Sequence, residues 1–244
     1  MLPTIHLSHA LEGRATRDSN DNHAWKAPGS EKGCNLDLAQ QAVPIQGIFA
    51  GAPSAEELQL VQRLFLLPRS GAPKIVVFCG VNTNDAAEFV SARAAEVLAS
   101  QVQQQVCLVD ANLREPSLHR RFDLDEALEL RGDGSTSPQK ESSRLAAPNL
   151  WVLPARAVRE SCPGLPAGGV NEQLLRLRKK FGFVLICAPA LDSAPDGILL
   201  GQISDGVVLV IRERITHRDT AIRARRSLDR YAVRLLGVVM NREP

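Results

Sequence analysis

Side chains that could bind a metal ion and an anion follow a short apolar run at residues 106–110, VCLVD. The run ends at Asp110, and Asn112 and Arg114 come two and four residues later. A carboxylate at a strand end is suited to holding Mg²⁺ through water, and a nearby arginine can meet an anion. Because many strands end in Asp, this pattern alone predicts only a candidate site.

The loop after the preceding apolar run is the place to look for phosphate binding. A phosphate-binding loop has the pattern G-x-x-x-x-G-K-S/T, because its backbone N–H groups cradle phosphates and its lysine reaches them. Residues 80–89 are GVNTNDAAEF, so only the leading Gly80 fits this pattern.

Alternating strands and helices must position these loops. The predicted strands are residues 74–80, 106–110, 149–155, 183–190, 206–212 and 235–240. The predicted helices are a first one after the cap Ser54, then 86–103, 171–180, 196–203 and 217–231, with a short turn in 116–122. Strands that are apolar throughout are covered on both faces, which predicts an α/β fold with a mostly parallel β-sheet flanked by helices. Ligands of such sheets bind at the carboxyl ends of the strands.

The polar, aperiodic residues 1–44 are predicted to form a disordered or loosely ordered tail, and residues 45–244 the domain. Residues 131–147 and 164–169 are predicted surface loops.

Composition excludes several classes. The net charge is only +2 and aromatic residues make up 4%, which disfavours a globally basic nucleic-acid binder and stacking platforms for single strands. No apolar run is long enough to span a bilayer and no secretory signal is evident, so a cytoplasmic location is expected. The five cysteines lack zinc-ligand spacing, and Cys79, Cys107 and Cys187 are predicted to be reduced core residues.

Several long stretches occur together in one order: residues 106–124, 149–155, 181–213 and 235–244. In these stretches and their order, the chain from about residue 54 to residue 241 resembles the cytoplasmic kinase domain of the bacterial tyrosine kinases. These are P-loop proteins of the MinD/ParA-like branch that regulate capsule and exopolysaccharide assembly. The resemblance implies a P-loop NTPase-like fold, and a partner that is the cytoplasmic part of a membrane polysaccharide co-polymerase.

The chain departs from that family at its working residues. Ala87 stands at the phosphate-gripping lysine and Glu88 at the hydroxyl that binds Mg²⁺. Asn112 replaces the second acid of an Asp-x-Asp-x-Arg motif, and Cys187 replaces the Walker B aspartate. Of the expected acids only Asp110 remains, so no catalytic residues and no cofactor are expected.

The start of the long helix is predicted to repel phosphate. Asp85 and Glu88 have the spacing of a capping box, which would satisfy the N–H groups of the helix from within the chain. If nucleotide binding persists, the resemblance assigns it to Gly80, Asp110, Arg114 and Asn241, with Asp110 as the metal ligand only if Mg²⁺ is bound. A structural role for Asp110 and Arg114 is favoured.

Two features concern partners. The family's oligomer helix carries Glu-x-x-Arg-x-x-Arg, whereas this chain has Glu57, Leu60 and Arg63, so ring assembly is in doubt while a homo-oligomer stays open.

Residues 212–234 contain eight arginines and three acids. Arg218, Arg225 and Arg226 there form either a solvated helix face or a contact for anionic lipid, an acidic partner or nucleic acid, with nucleic acid least favoured. Thr216 and Asp219 are expected to cap this helix.

The preferred hypothesis is a catalytically inactive, tyrosine-kinase-like regulatory protein of exopolysaccharide or capsule biosynthesis and export. It would bind the co-polymerase and lie in the cytoplasm or peripherally at the inner membrane. The alternatives are a weakly active kinase or ATPase that uses ATP and Mg²⁺, and a MinD/ParA-like module that positions itself on a membrane or DNA.

Overall fold

The computed structural model describes residues 5–8, 37–45, 48–49, 51–67, 71–122, 124, 145–146, 149–161 and 170–242. Ten strands are found there: β1 (Ile5–Ser8), β2 (Val43–Pro44), β3 (Ile48–Phe49), β4 (Ile75–Gly80), β5 (Val106–Asp110), β6 (Leu145–Ala146), β7 (Leu150–Leu153), β8 (Phe183–Cys187), β9 (Gly206–Arg212) and β10 (Leu235–Asn241).

Eight of these strands form one sheet in the order β1-β10-β9-β4-β8-β5-β7-β2. All neighbours from β10 to β7 run parallel, while β1 and β2 pair antiparallel at the two edges. The remaining two, β3 and β6, form a separate antiparallel ribbon. The predicted mostly parallel α/β sheet is confirmed.

The helices are α1 (Ala55–Val61), α2 (Ala87–Gln101), α3 (Leu118–Arg121), α4 (Ala155–Ser161), α5 (Val170–Lys180), α6 (Asp196–Gln202) and α7 (Arg218–Arg230). The predicted cap of α1 is confirmed: the Ser54 hydroxyl accepts the Glu57 N–H at 3.2 Å, and the Glu57 carboxylate accepts the Ser54 N–H at 2.8 Å. No helix in the described ranges combines the length and apolarity needed to cross a membrane.

The central strands are apolar throughout because both faces of the sheet are covered. Along β4, Val76 and Phe78 point into one core cluster, which also contains side chains of α1 and α2. Their neighbours Val77 and Cys79 point into the second cluster, packed against α4, α5, α6 and α7. This period of two places alternate side chains on opposite faces, so each face needs its own layer of helices.

Parts of the predicted tail, residues 1–44, belong to the folded domain. Leu38, Ala39 and Ala42 are buried in the second core cluster, and residues 5–8 extend the main sheet as β1. The sequence did not indicate this packing, because these few apolar residues lie in a stretch whose average composition is polar. The other residues of the segment 1–36 lie outside the described part of the chain.

Of the two predicted surface loops, residues 164–169 lie outside the described residues. So does most of 131–147, but Leu145–Ala146 is a strand paired with Ile48–Phe49 and is not loop.

The three cysteines within the described residues are free and buried, as predicted. Burial raises the pKa of the Cys79 thiol to about 12 and that of Cys107 still further.

Candidate functional site

A cleft of about 220 Å³ opens at the carboxyl ends of β4 and β8, beside the start of α2. Six residues singled out from the sequence line it: Gly80, Ala87, Glu88, Asn112, Arg114 and Cys187. The structure therefore brings together most of the candidate site, at the edge of the sheet where parallel α/β folds bind ligands.

Asp110 is fully buried and its carboxylate is occupied by the chain's own backbone. One oxygen accepts the Asn112 N–H, and the other accepts the N–H groups of Ser117 and Leu118, all at 3.2 Å. Burial raises the pKa of Asp110, against the opposing effect of these backbone donors. Asp110 therefore holds the turn between β5 and α3, which agrees with the structural role favoured from the sequence.

Asn112 and Arg114 continue this turn. The Asn112 side-chain oxygen accepts the Glu115 N–H at 3.2 Å, so the amide shapes the loop. Arg114 is 65% exposed, and its Nε lies 4.0 Å from a carboxylate oxygen of Asp196. At that distance and exposure the pair contributes little, which leaves the guanidinium able to move within the mouth of the cleft.

Cys187 lies in register with Asp110 on the neighbouring strand and is buried. The pKa of its thiol is raised well above the usual value by burial and by the charge of Asp110, although a hydrogen bond with the Ser91 side chain opposes this shift. The thiol stays protonated at neutral pH, so this position supplies neither a hard oxygen ligand nor a nucleophile.

The predicted capping box at the start of α2 is wrong. Ala86 is the N-cap, with φ of 57° and ψ of 43°, and no side chain caps the helix. Asp85 is turned away from the helix and accepts the Asn82 N–H at 2.7 Å. A carboxylate does occupy this loop, but it satisfies a donor that precedes the helix and leaves the helix N-terminus without a side-chain cap.

The other oxygen of Asp85 accepts the Thr216 hydroxyl at 2.6 Å. Thr216 in turn accepts the Arg212 N–H at 2.8 Å, and the Arg212 guanidinium donates to the Asn84 carbonyl at 3.4 Å. The expected Thr216–Asp219 cap is therefore wrong: α7 begins after His217, without a side-chain cap. We call the Asp85–Thr216 hydrogen bond the loop latch, since it joins the loop before α2 to the loop before α7.

Asn241 lies at the end of β10 and is fully buried. Within the described ranges, neither its side-chain oxygen nor its side-chain nitrogen has a hydrogen-bond partner. A buried amide without partners is costly, because its hydrogen bonds to water have not been replaced. Asn241 is thus a buried polar group whose hydrogen bonds the described residues do not supply, and it is not among the residues that line the cleft.

Of the two candidate oligomer residues, one is buried and the other is exposed. Glu57 is buried and makes a two-pronged ion pair with Arg93 of α2, at 2.8 and 3.0 Å, while Arg63 is exposed. Arg93 also contacts Glu96 at 3.0 Å, and these contacts raise its pKa although burial lowers it. Glu57 is therefore not available to a second subunit in this conformation. Sequence reasoning missed Arg93, for which the spacing of Arg93 and Glu96 was the available signal.

The arginines of α7 are on the surface, as their pattern predicted. Arg218, Arg225 and Arg226 are exposed, and Arg225 lies 3.9 Å from Asp229. Ala224 and Leu228 anchor the opposite side of the helix in the core.

Two curated bacterial proteins are similar to this chain in sequence. Tyrosine-protein kinase YwqD of Bacillus subtilis (strain 168) is 27% identical over 148 residues, which cover 59% of this chain and 62% of the relative. Tyrosine-protein kinase ptk of Acinetobacter johnsonii is 27% identical over 192 residues, covering 76% of this chain and 26% of the relative. The match thus spans less than two thirds of either relative. No family model matches the chain.

Solved structures agree on the fold. The chimerical protein CapA2B2 superposes with a TM-score of 0.63 at 19% identity, over 84% of this chain and 97% of that one. The VpsO kinase domain superposes with a TM-score of 0.60 at 21% identity, over 77% and 93%. The resemblance to bacterial tyrosine kinases is confirmed. A ParA family ATPase from Chlorobium tepidum TLS shares the kinase-like fold at a TM-score of 0.50 and 14% identity, over 68% and 72%. Likeness at these identities shows the fold alone.

At the positions that the resemblance assigns to phosphate and Mg²⁺ binding, the cleft lacks the expected groups, although Arg114 and Arg120 also line it. Ala87 cannot neutralise phosphate charge, and Glu88 adds a negative charge to the lining. The Asp110 carboxylate already accepts three backbone N–H groups, and Cys187 presents a neutral thiol. Across the described residues, no three His, Cys, Asp or Glu side chains are grouped to hold a metal ion.

Proposed function

We propose that this chain is a catalytically inactive, kinase-like regulatory protein of exopolysaccharide or capsule biosynthesis and export. It acts by binding the cytoplasmic part of a membrane polysaccharide co-polymerase, without phosphoryl transfer. Sequence relatives named tyrosine-protein kinase and a fold shared with kinase domains support the kinase-like part of this proposal, and the pathway and partner are carried over from the resemblance.

One observation carries the proposed inactivity: the positions that the resemblance assigns to the phosphate-gripping lysine, the Mg²⁺-binding hydroxyl and the Walker B aspartate hold Ala87, Glu88 and Cys187. Phosphoryl transfer depends on positive groups and metal ions that neutralise the charge developing on the phosphates. In this cleft Ala87, Glu88 and Cys187 supply none of that charge, and Asp110 is hydrogen-bonded to the turn after β5. The positive groups in the lining are Arg114 and Arg120, neither of which stands at the position of the phosphate-gripping lysine.

The test is a calorimetric titration of the full chain with ATP and ADP, with and without Mg²⁺. We expect no binding at millimolar nucleotide and no autophosphorylation with labelled ATP. A matched variant, Ala87→Lys with Glu88→Thr and Cys187→Asp, restores the missing groups and should gain Mg²⁺-dependent binding. Micromolar, Mg²⁺-dependent binding by the unmodified chain would contradict the proposal.

Binding to the co-polymerase needs a separate measurement. The purified cytoplasmic part of that membrane protein should bind the chain with the same affinity in the presence and absence of nucleotide. An interaction that required ATP would indicate an active switch in place of a constitutive regulator.

A second candidate, residual nucleotide binding, is favoured by one observation: Asn241 is buried with both polar side-chain atoms unpaired. A base could satisfy that amide even where the phosphates find no partner. Titration with adenosine, compared with ATP, tests this candidate. Binding of adenosine that is lost in Asn241→Ala, without any Mg²⁺ dependence, would support it.

A further inference from the structure

One face of α7 carries arginines that the fold does not use. Arg218, Ile222, Arg226 and Arg230 follow one another at intervals of four residues, and all four are exposed. Residues four apart lie next to each other on a helix surface. We call this row the arginine ridge. It lies opposite Ala224 and Leu228, the buried residues of the helix.

Two of the three acids near the ridge lie against other arginines. Asp229 lies 3.9 Å from Arg225, and Glu213 pairs with Arg242 at 3.0 Å, so two of the three acids of this segment face other arginines. The third, Asp219, is exposed beside the ridge. Within the described residues no ion pair of Arg218, Arg226 or Arg230 occurs, and the ridge therefore keeps a net positive charge.

Exposed apolar side chains accompany this charge. Ile222 lies within the ridge and is 37% exposed, while Ile215 before the helix and Tyr231 at its end are 47% and 48% exposed. Although the apolar face of α7 packs in the core, an exposed basic surface with neighbouring apolar side chains fits a bilayer interface, since its arginines can meet anionic headgroups and its apolar side chains can enter the region below them. Tyrosine is also enriched at this depth.

We propose that the arginine ridge binds the anionic surface of a lipid bilayer. The apolar residues distinguish this occupant from nucleic acid, because a phosphate backbone offers no apolar layer to Ile222. The low net charge of +2 further disfavours nucleic acid. This inference does not rest on the proposed loss of catalysis.

The experiment is co-sedimentation of the full chain with vesicles of phosphatidylcholine alone or mixed with phosphatidylglycerol. Binding should require phosphatidylglycerol and should be lost at about 1 M salt, where the screening length falls to about 3 Å. The triple variant Arg218→Gln, Arg226→Gln and Arg230→Gln should weaken partitioning about 100-fold, since each arginine contributes about a factor of five near an anionic surface. Ile222→Ser should weaken it by about threefold to tenfold.

A control variant separates the ridge from net charge. Lys74→Gln, Arg156→Gln and Lys179→Gln remove the same charge from exposed positions elsewhere and should leave partitioning unchanged. Circular dichroism checks that both triple variants are folded. Three outcomes would overturn the proposal: equal binding to uncharged vesicles, equal loss in the control variant, or tighter binding to a short DNA duplex or an acidic peptide than to anionic vesicles.

Discussion

Replacing Asp110 by alanine distinguishes a carboxylate that holds a turn from one that holds a metal ion. In the structure this side chain accepts three backbone N–H groups, from Asn112, Ser117 and Leu118. The variant Asp110→Ala leaves all three donors without an acceptor. We therefore expect a loss of stability that does not depend on Mg²⁺ or nucleotide.

The size of that loss follows from burial. The hydrogen bond to Leu118 is buried and those to Asn112 and Ser117 are partly buried. A buried donor left unsatisfied costs about 1–3 kcal/mol, and water can partly replace the acceptor at the other two. Relief of the buried charge offsets some of this, which leaves about 2–3 kcal/mol. For a chain of this size each kcal/mol lowers Tm by about 2–4 °C.

The pH dependence of the unfolding free energy provides an independent check on the role of Asp110. Because burial raises the pKa of Asp110 in the folded chain, the unfolded chain ionises first as the pH rises. The stabilisation from the protonated carboxyl is complete below the pKa of a free aspartate and is lost as the pH rises through the raised pKa. The difference in unfolding free energy between wild type and Asp110→Ala should therefore be largest in acid and smaller at neutral pH.

Urea unfolding across this pH range, with and without Mg²⁺, tests both expectations, and Asp110→Asn serves as the variant that removes the charge but keeps one oxygen. A metal ligand would behave differently: a metal at 100 times its Kd stabilises the folded state by about 2.7 kcal/mol. A rise in Tm of the wild type with Mg²⁺ that disappears in Asp110→Asn would refute the structural role.

Four more predictions concern single side chains. Ala86→Gly should raise the unfolding free energy by about 1 kcal/mol, because Ala86 has a positive φ; a decrease in urea unfolding would contradict this backbone conformation. Arg93→Met should lower it by about 3–5 kcal/mol, since Glu57 would stay buried without its partner, and a double-mutant cycle with Glu57→Gln should show strong coupling. Cys187 should resist iodoacetamide at mildly alkaline pH and react once guanidinium unfolds the chain; alkylation of the folded chain would show that its pKa is not raised. Thr216→Val should speed amide exchange in the loop before α2 without changing vesicle binding, and unchanged exchange would mean that the loop latch does not hold that loop.

The sheet could be predicted from the sequence because its strands are continuous apolar runs. The run at 206–212 corresponds to Gly206–Arg212 in the structure, and that at 106–110 to Val106–Asp110. Helix α2, expected over 86–103, spans Ala87–Gln101. The edge strand β1 was missed, because four residues at an edge carry no such continuous pattern and are defined by their pairing with β10.

The sequence predicted which residues lie at the candidate site, but it did not predict the hydrogen bonds between them. The strand-end rule pointed to the loops after Gly80 and Asp110, since it depends only on which loops follow parallel strands, and the resemblance added Cys187. The hydrogen bonds of Asp85 were mispredicted because local spacing favoured a partner three residues away, whereas Thr216 lies 131 residues along the chain. Arg93 was missed for a similar reason: its partner Glu57 is 36 residues distant, and a buried arginine within an apolar helix face is a tertiary feature.

The loop latch holds the loop at which the resemblance places phosphate binding. A phosphate-binding loop cradles its ligand through backbone N–H groups, so a ligand contributes to its order. Here the Asp85 carboxylate accepts the Asn82 N–H from within the chain, and its second oxygen is held by Thr216. The loop therefore keeps its shape without nucleotide. Because Thr216 lies two residues before α7, the same hydrogen bond ties the cleft to the helix that carries the arginine ridge. In the proposed regulator, this hydrogen bond would keep the cleft fixed while α7 contacts the lipid surface through the proposed ridge.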